Sequence, residues 1–459
     1  MSEPNNALPQ GFGTATATFV VVSSMVGVGV LTTSGFTVLE TGSNAVMLGL
    51  WMVGGLIAVC GALTQCELSA AMPEAGGDYV FLKAAYGPLM AFLSGWVSYL
   101  IGFAGPIAVA GSASARYLLG PLQLDPGAGW VAERGLATLT ILVFAAIHVS
   151  GQSKTAKVQA AITVAKITIL MIFASAGLFA GRGNWSHLND LGSAKPGING
   201  VLAMLFSLVY IGYGYTGWNS ASYIASEVAE PQKRLPRAIL IGTAGVTLLY
   251  LLLNVVYALA LSSDDIRALV REGGPNAIAP IAERAAERLF SPNIAKLVAV
   301  VTGVMLWSTL SAYILTGPRV LFAMARAGQF PAFAGKLWLR TKTPAIATIL
   351  QVGWALLLLW TGTFKDILDY ASIGLAMFGM LTVAAIFPLR IRRPDLARPF
   401  VCPLYPWVPL GYLIPTFALT AAAFSQAPKA ALLALGSILM GVPVYYVWLW
   451  VTGWRDGVA

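Results

Sequence analysis

Charged side chains are scarce in this sequence of 459 residues. Asp, Glu, Lys and Arg together make up 10% of the chain, and 57% of it is hydrophobic. Soluble domains carry about 25% charged residues, so this composition excludes an ordinary soluble domain. Many apolar runs approach the roughly 20 residues that a helix needs to cross a bilayer. The composition therefore indicates a multi-pass membrane protein.

Histidine and cysteine are rarer still, with two and three residues respectively. His148 and His187 are far apart, and Cys60, Cys66 and Cys402 do not show the spacing of metal ligands. We therefore expect no metal and no cofactor. No nucleophile motif stands near a histidine either, so we do not expect an enzyme. The cysteines are interpreted as ordinary buried side chains.

The net charge of +9 suggests nucleic-acid binding in a soluble protein. Here the basic residues lie mostly in short connections between apolar runs, and most fall on the side of the N-terminus. Such a bias orients membrane proteins. It predicts a protein of the cell (inner) membrane with both termini in the cytoplasm and with no nucleic-acid partner. The first residues lack a basic region and a cleavage site, so no signal peptide is expected.

Apolar runs predict an all-α membrane fold with twelve helical spans. These spans cover residues 14–38, 43–70, 86–119, 131–150, 156–181, 197–228, 236–262, 293–326, 343–361, 366–391, 404–425 and 430–452. Glycines interrupt the first and the sixth spans, which are five spans apart. Because five is odd, the second set of five spans has inverted topology. We predict one domain, 1–459, with repeats at 14–181 and 197–391 and two additional helices at 404–452.

The sixth span carries three glycines within six residues, Gly212, Gly214 and Gly217. Each glycine costs a helix interior about 1 kcal/mol relative to alanine, so the helix is predicted to break there. Unpaired backbone groups within a bilayer are tolerated only where they line a polar cavity. We therefore predict a binding site at the break. The alternative is that the glycines only allow close packing of helices.

A zwitterion such as a free amino acid suits two broken helices. A helix N-terminus offers unpaired amides and partial positive charge, and a C-terminus offers carbonyls and partial negative charge. The predicted ligands of the carboxylate are the amides of Gly27, Val28 and Gly29. The predicted ligands of the ammonium are the carbonyls of Tyr213, Gly214 and Tyr215. A cationic substrate would need a buried carboxylate near the breaks, and none is visible there in the sequence, which favours neutral side chains.

Lys166 lies about ten residues into the fifth span, roughly 15 Å from its start and near the midplane. A lysine at that depth is costly and indicates a function. We predict that it donates to carbonyls near Gly27 and to a hydroxyl of the eighth span, Ser308 or Ser311. These three residues are the predicted coupling site. The alternative is that the lysine extends to the membrane surface.

Other side chains near the breaks and span ends are candidates for gates and walls. Tyr213 and Trp218 are predicted aromatic walls or gates, and Asn219 is predicted to hydrogen-bond the unwound backbone. Near the cytoplasmic span ends, an inner gate or plain interfacial ion pairs are predicted for Glu67, Glu227 and Arg319. Charges at helical spacing in 263–292 predict a short surface helix, with a solvated connector as the alternative.

Several motifs resemble the amino acid–polyamine–organocation superfamily of permeases. They are residues 66–79 (CELSAAMPEAGGDY), 215–219 (YTGWN), 231–236 (PQKRLP), 317–326 (GPRVLFAMAR) and 392–400 (RRPDLARPF). The Gly-Trp-Asn core resembles the L-type branch, and the end of the eighth span resembles bacterial cationic-type permeases. The resemblance implies a 5+5 inverted repeat with broken helices 1 and 6. It also implies amino acid transport by alternating access.

The resemblance also suggests how transport is driven. Many sodium-independent members carry a lysine at the place of Lys166, which implies a sodium-independent transporter working by proton symport or exchange. Members of the L-type branch pair with a glycoprotein through an external cysteine. Residues 120–130 contain none, so no obligate glycoprotein subunit is expected. The alternatives are a polyamine or cationic amino acid transporter and an amino acid sensor. The expected partners are an amino acid, protons and membrane lipid.

Overall fold

The computed structural model describes residues 8–122, 124–192, 197–273, 280–426 and 428–453. Across these residues the chain is helical, and its one β-pairing is an isolated parallel bridge between Phe12 and Val228. Eleven helical segments are long and apolar enough to cross a membrane, and Ala345–Thr361 is a shorter twelfth. The prediction of an all-α membrane fold with about twelve spans is confirmed.

The helices follow the predicted spans closely. In chain order they are α1 (Thr14–Met25), α2 (Val28–Thr41), α3 (Asn44–Ala71), α4 (Asp78–Tyr86), α5 (Pro88–Val97), α6 (Ala104–Leu119), α7 (Pro126–Val149), α8 (Gln152–Phe179), α9 (Gly197–Gly214), α10 (Ser220–Tyr223), α11 (Pro231–Ala260), α12 (Ser263–Gly273), α13 (Ile281–Leu289), α14 (Pro292–Arg326), α15 (Ala345–Thr361), α16 (Phe364–Ala384), α17 (Ile386–Arg392), α18 (Trp407–Gln426) and α19 (Pro428–Thr452). The seventh span begins at Pro231 rather than at 236, so Pro231 stands in its first turn and Pro236 lies inside the helix.

The first and the sixth spans are both broken. The first stops at Met25 and restarts at Val28, with Gly27 between the halves. The sixth stays helical through Gly214 and unwinds over 215–219 before α10 begins. The break therefore starts three residues later than the predicted 212–217. Gly217 is the glycine that requires it, because its φ of 105° is a conformation that residues with a side chain rarely adopt. The repeat boundaries remain a prediction.

Two further irregularities have a proline as their cause. The third span widens into a π-helical segment, Ser98–Phe103, between α5 and α6. Pro106 lacks an amide hydrogen, and its ring crowds the carbonyl of Gly102 four residues earlier. In the same way Pro388 stands four residues after Ala384, where α16 ends. The first irregularity places Ser98, Gly102 and Phe103 along a cavity next to the sixth span.

The segment 263–292 forms two helices, α12 and α13, rather than one surface helix or a solvated connector. Residues 274–279 between them lie outside the described part. The apolar face of α13, with Ile281, Ala285 and Leu289, is buried. This face packs on α14, α11 and the outer half-helix α2. The charges mark only the solvent face, and the alanines between them form the buried one.

Candidate functional site

Lys166 of α8 reaches the carbonyl end of α1. Its Nζ donates to the Val26 carbonyl at 2.5 Å, to Thr309 Oγ1 at 2.9 Å and to the Ser23 carbonyl at 3.5 Å. The lysine is 1% exposed, so it lies inside the bundle and does not extend to the membrane surface. The last carbonyls of a helix have no partner within the helix. Lys166 supplies a donor to two such carbonyls.

The hydroxyl partner of Lys166 is Thr309, and the prediction of Ser308 or Ser311 is wrong. Ser308 Oγ instead donates to Ser23 Oγ at 3.0 Å, and Ser311 Oγ lies 2.9 Å from His148 Nε2. One residue turns a side chain by about 100° around a helix, so the correct helix with the wrong register gives the wrong hydroxyl. The role of both serines in coupling remains a prediction.

Two tyrosines complete the carbonyl end of α1, and sequence reasoning missed both. Tyr313 OH donates to the Ser24 carbonyl at 2.9 Å. Tyr250 OH lies 2.6 Å from the Met25 carbonyl and 3.0 Å from the Gly214 carbonyl. Tyr250 therefore contacts both breaks at once. The available signal was a tyrosine in the middle of an apolar span, since a buried phenol needs a polar partner.

The amide end of α2 faces a small cavity. Val28, Gly29 and Val30 form the first turn of α2, and their amides have no partner within the helix. In the described chain no other hydrogen bond involves these amides. The cavity is lined by Ser24, Met25, Gly27, Val28, Gly29, Pro106, Ala110, Tyr213, Thr216, Thr309 and Tyr313. These amides, with the positive end of the helix, can hold a carboxylate.

The predicted ammonium ligands in the second break are partly engaged. The Tyr213 carbonyl accepts from Thr216 N at 3.0 Å and from Thr216 Oγ1 at 2.7 Å. The Gly214 carbonyl accepts from Tyr250. The Tyr215 carbonyl accepts no hydrogen bond from the described residues, while its phenol donates to the Trp51 carbonyl at 3.0 Å. The ammonium position remains a prediction, and a bound ammonium would share these carbonyls.

Trp218 and Asn219 end the second break. The Trp218 ring lies edge-on to Tyr412, with 5.6 Å between ring centroids, and lines two cavities. Asn219 does not bond the unwound backbone as predicted. Its amide donates to Asp78 Oδ2 at 3.0 Å and to Tyr223 OH at 3.3 Å. Asp78 is 6% exposed, so a buried carboxylate does lie beside the break and the contrary expectation is wrong.

The charged residues among the predicted gates form two separate clusters. Arg319 Nε donates to Glu227 Oε1 at 2.9 Å, and both side chains are buried. Glu67 instead pairs with Arg390 at 2.6 Å and with Arg398 at 3.3 Å. Glu67 therefore belongs to an ion-pair cluster of its own, away from Glu227 and Arg319.

The N-terminal segment contacts the Glu227–Arg319 pair. The amides of Gly11 and Phe12 both donate to the Glu227 carbonyl at 3.0 Å. Gln152 Nε2 donates to Glu227 Oε2 at 3.1 Å and to the Pro9 carbonyl at 2.7 Å. The end of the sixth span is thus tied to α8, to α14 and to the N-terminal segment.

A family model described as amino acid permease matches residues 12–451. The chain belongs to the amino acid permease family. This permease is 26% identical over 431 residues to the human (Homo sapiens) cystine/glutamate transporter, with 94% of the chain and 83% of that protein covered. It is 27% identical over 456 residues to the mouse (Mus musculus) Asc-type amino acid transporter 1, with 98% and 82% covered. It is 28% identical over 449 residues to the human large neutral amino acids transporter small subunit 2, with 96% and 81% covered.

These matches confirm the resemblance predicted from the motifs. The permease is a multi-pass membrane protein of the amino acid–polyamine–organocation superfamily, and it transports amino acids. It is a transporter and not an enzyme. The two broken helices and the groups that complete their ends are its candidate substrate site.

Proposed function

We propose that this permease is a sodium-independent secondary transporter of neutral L-amino acids, working by proton symport or exchange. The observation that supports sodium independence is the position of Lys166. Unwound carbonyls at half-helix ends are the groups that coordinate sodium in transporters with broken helices. Here two such carbonyls, of Ser23 and Val26, and the Thr309 hydroxyl surround a lysine ammonium. A fixed cation among these oxygens would do electrostatically what a bound sodium does.

The small cavity supports a neutral zwitterion as substrate. The free amides of α2 suit the carboxylate, and the described residues that line the cavity carry no charged side chain. Two of the relatives are named for large neutral and Asc-type amino acids, and a third for cystine and glutamate. The side chain of the bound amino acid would lie toward Tyr213 and Thr216.

The proposal includes an orientation and a set of partners. Both termini would lie in the cytoplasm, with α12 and α13 on the outer face of the cell membrane. The permease would work in lipid without an obligate glycoprotein subunit. The expectation about the subunit rests on residues 120–130, which have no cysteine, although residue 123 lies outside the described part.

A cationic amino acid or polyamine is the second candidate substrate class, because the structure supplies the buried carboxylate that it requires. Asp78 lies in a cavity that also includes Thr216, Gly217 and Trp218 of the second break. Its oxygens already accept hydrogen bonds from Asn219, Tyr223 and Gln65. These bonds occupy most of its roughly four acceptor positions, which favours the neutral class.

A flux assay tests the proposal. The purified permease in liposomes is given radiolabelled L-alanine, L-leucine, L-lysine or putrescine, in sodium buffer and in choline buffer. We expect uptake of alanine or leucine at the same rate in both buffers. Uptake that requires sodium would contradict the proposed coupling, and uptake of lysine or putrescine alone would support the cationic alternative. Binding of a neutral amino acid without flux would indicate a sensor.

The variant Lys166→Ala tests the role of this lysine in the same flux assay. We expect its initial uptake rate to fall about tenfold or more, since losing hydrogen bonds to a charged group costs roughly 1.5–3 kcal/mol. The elution profile in detergent should remain that of a folded protein. Lys157→Ala is the control, because Lys157 is an exposed lysine on the same helix. Uptake by Lys166→Ala at the rate of this control would remove Lys166 from the mechanism.

A further inference from the structure

Asp78 is a buried carboxylate that accepts hydrogen bonds from neutral donors. Oδ2 accepts from Tyr223 OH at 2.9 Å and from Asn219 Nδ2 at 3.0 Å, and Oδ1 accepts from Gln65 Nε2 at 3.1 Å. Asp78 begins α4, between the second and third spans, and it ties α10 to α3. A buried carboxylate usually has a cationic partner or takes up a proton.

Within the described residues Asp78 has no cationic partner. The phenols of Tyr223 and Tyr412 are the titratable groups that face it. Three arginines on elements packed around α4 are engaged elsewhere: Arg319 with Glu227, Arg390 with Glu67, and Arg392 with the Ala85 carbonyl. Lys83 and Arg326 are exposed. Burial raises the pKa of the Asp78 carboxyl, although its hydrogen bonds from Tyr223, Gln65 and Asn219 oppose the increase. A raised pKa brings protonation closer to neutral pH.

A cavity joins Asp78 to the substrate site. It extends from Asp78 along Asn219 and Gly217 to Thr216, with Tyr313 on its wall. Thr216 and Tyr313 also line the small cavity at the amide end of α2. The carboxylate and the candidate substrate site therefore share two wall residues.

We propose that Asp78 binds the proton that moves with the amino acid. This inference rests on the proposed function and selects symport from its two coupling modes. When ionised, Asp78 offers lone pairs to every donor and holds the inner half-helix α10 against α3. When protonated, it has one acceptor position fewer, and its bonds to Asn219 and Tyr223 weaken because they lose their charge. α10 is then free to move. The proton leaves Asp78 on the opposite side, and no bond to the substrate forms or breaks.

The test measures proton and amino acid movement in the same proteoliposomes. The vesicles contain a pH-sensitive dye and receive an equimolar mixture of the twenty L-amino acids at an outside pH one unit below the inside. Lumenal pH and lumenal amino acid content are followed together. We expect the wild type to acidify its lumen above the proton leak and to accumulate amino acids. In Asp78→Asn we expect the acidification to fall to the leak of protein-free vesicles and the accumulation ratio to fall to about 1.

A counterflow assay checks that Asp78→Asn still moves amino acids. Its vesicles are loaded with the same mixture, and the pH is equal inside and outside. Glu74→Gln is the charge-matched control, since Glu74 is an exposed carboxylate on the same connection. Tyr223→Phe removes one donor that stabilises ionised Asp78. It should therefore move the midpoint of the pH dependence of uptake to higher pH.

The outcomes separate the two proposals. A wild type that takes up no amino acid contradicts the proposed function. A wild type that takes up amino acids without acidifying its lumen contradicts the inference alone, and so does acidification by Asp78→Asn equal to the wild type. If Asp78→Asn also loses counterflow, an unmoved midpoint in Tyr223→Phe overturns the inference and a midpoint at higher pH supports it.

Discussion

One phenol joins the two broken helices. Tyr250 OH lies within hydrogen-bond distance of the Met25 carbonyl in the first break and of the Gly214 carbonyl in the second. Its ring packs against Trp51 and Tyr215, with centroids 5.3 and 5.1 Å away. This packing fixes the ring and therefore the position of the hydroxyl. Both broken ends thus depend on the placement of one side chain in α11.

Tyr250→Phe should destabilise the permease and slow transport, because the Gly214 carbonyl loses its donor and the Met25 carbonyl keeps only the Gly27 amide. A buried polar group without a partner costs about 1–3 kcal/mol. Tyr257→Phe is the matched control, since Tyr257 is buried two turns along the same helix and its hydroxyl has no partner in the described chain. Thermal unfolding in detergent and initial uptake rates measure both effects. Equal melting temperatures for the two variants would show that the bridge contributes no stability.

The two broken helices meet at backbone contact. A Cβ on Gly29 would lie 2.4 Å from the Cα of Gly214, and a Cβ on Gly217 would lie 2.7 Å from Ser24. No side chain fits at either place. Close approach therefore needs glycine on both elements, and it brings the amides of one break near the carbonyls of the other. The small-residue packing offered as an alternative interpretation of these glycines occurs together with the unwinding.

Gly217→Ala should lower the stability of the permease, whereas Gly212→Ala should leave it unchanged or raise it, although both glycines belong to the same predicted motif. At Gly217 alanine meets a positive φ and a steric clash, with an expected cost of about 1–3 kcal/mol. Gly212 is helical, and a Cβ there has no neighbour within 4 Å. Alanine at Gly212 should be neutral or stabilise by up to about 1 kcal/mol. Melting temperatures and uptake rates of the two variants decide the comparison, and equal destabilisation would contradict it.

At the scale of the whole molecule, ion pairs lie at both membrane faces. The face that carries the N-terminal segment holds the buried Glu227–Arg319 pair and the Glu67 cluster. The opposite face is covered by α12 and α13, whose ion pairs are exposed. Removing one partner of a buried pair is costly, whereas exposed pairs contribute little. The opposite face also holds a buried cluster, in which Glu133 pairs with Arg116 at 2.8 Å and with Arg134 at 2.7 Å, so buried ion pairs stabilise both faces.

The proposed orientation can be tested by labelling single introduced cysteines in intact cells. Arg288 is exposed on α13, so Arg288→Cys should react with a membrane-impermeant maleimide. Lys233→Cys lies exposed at the start of α11 and should react only after lysis. Cys60 is half-buried and Cys66 and Cys402 are buried, so the parent chain gives the background. The opposite labelling pattern would place both termini outside the cell.

Much of the structure of this protein could be predicted from the sequence alone, because it depends on local chemistry. The number and length of the spans follow from the apolar runs, because few segments other than apolar helices are stable in the hydrocarbon of a bilayer. Both breaks were predicted from glycines, since backbone freedom is a property of a few consecutive residues. Lys166 was predicted to lie in the bundle interior from its depth in the fifth span. Each of these inferences depends on residues that are close together along the chain.

Tertiary structure alone decided which side chains meet. Thr309 rather than Ser308 or Ser311 reaches Lys166 because the rotation of α14 is set by packing against its neighbours. An apolar span shows no polar face from which that rotation could be predicted. Asp78 meets Asn219 across 141 positions of sequence. Tyr250 reaches both breaks only because the folded bundle places α11 beside them. These contacts follow from how the helices pack, and no local pattern in the sequence encodes that packing.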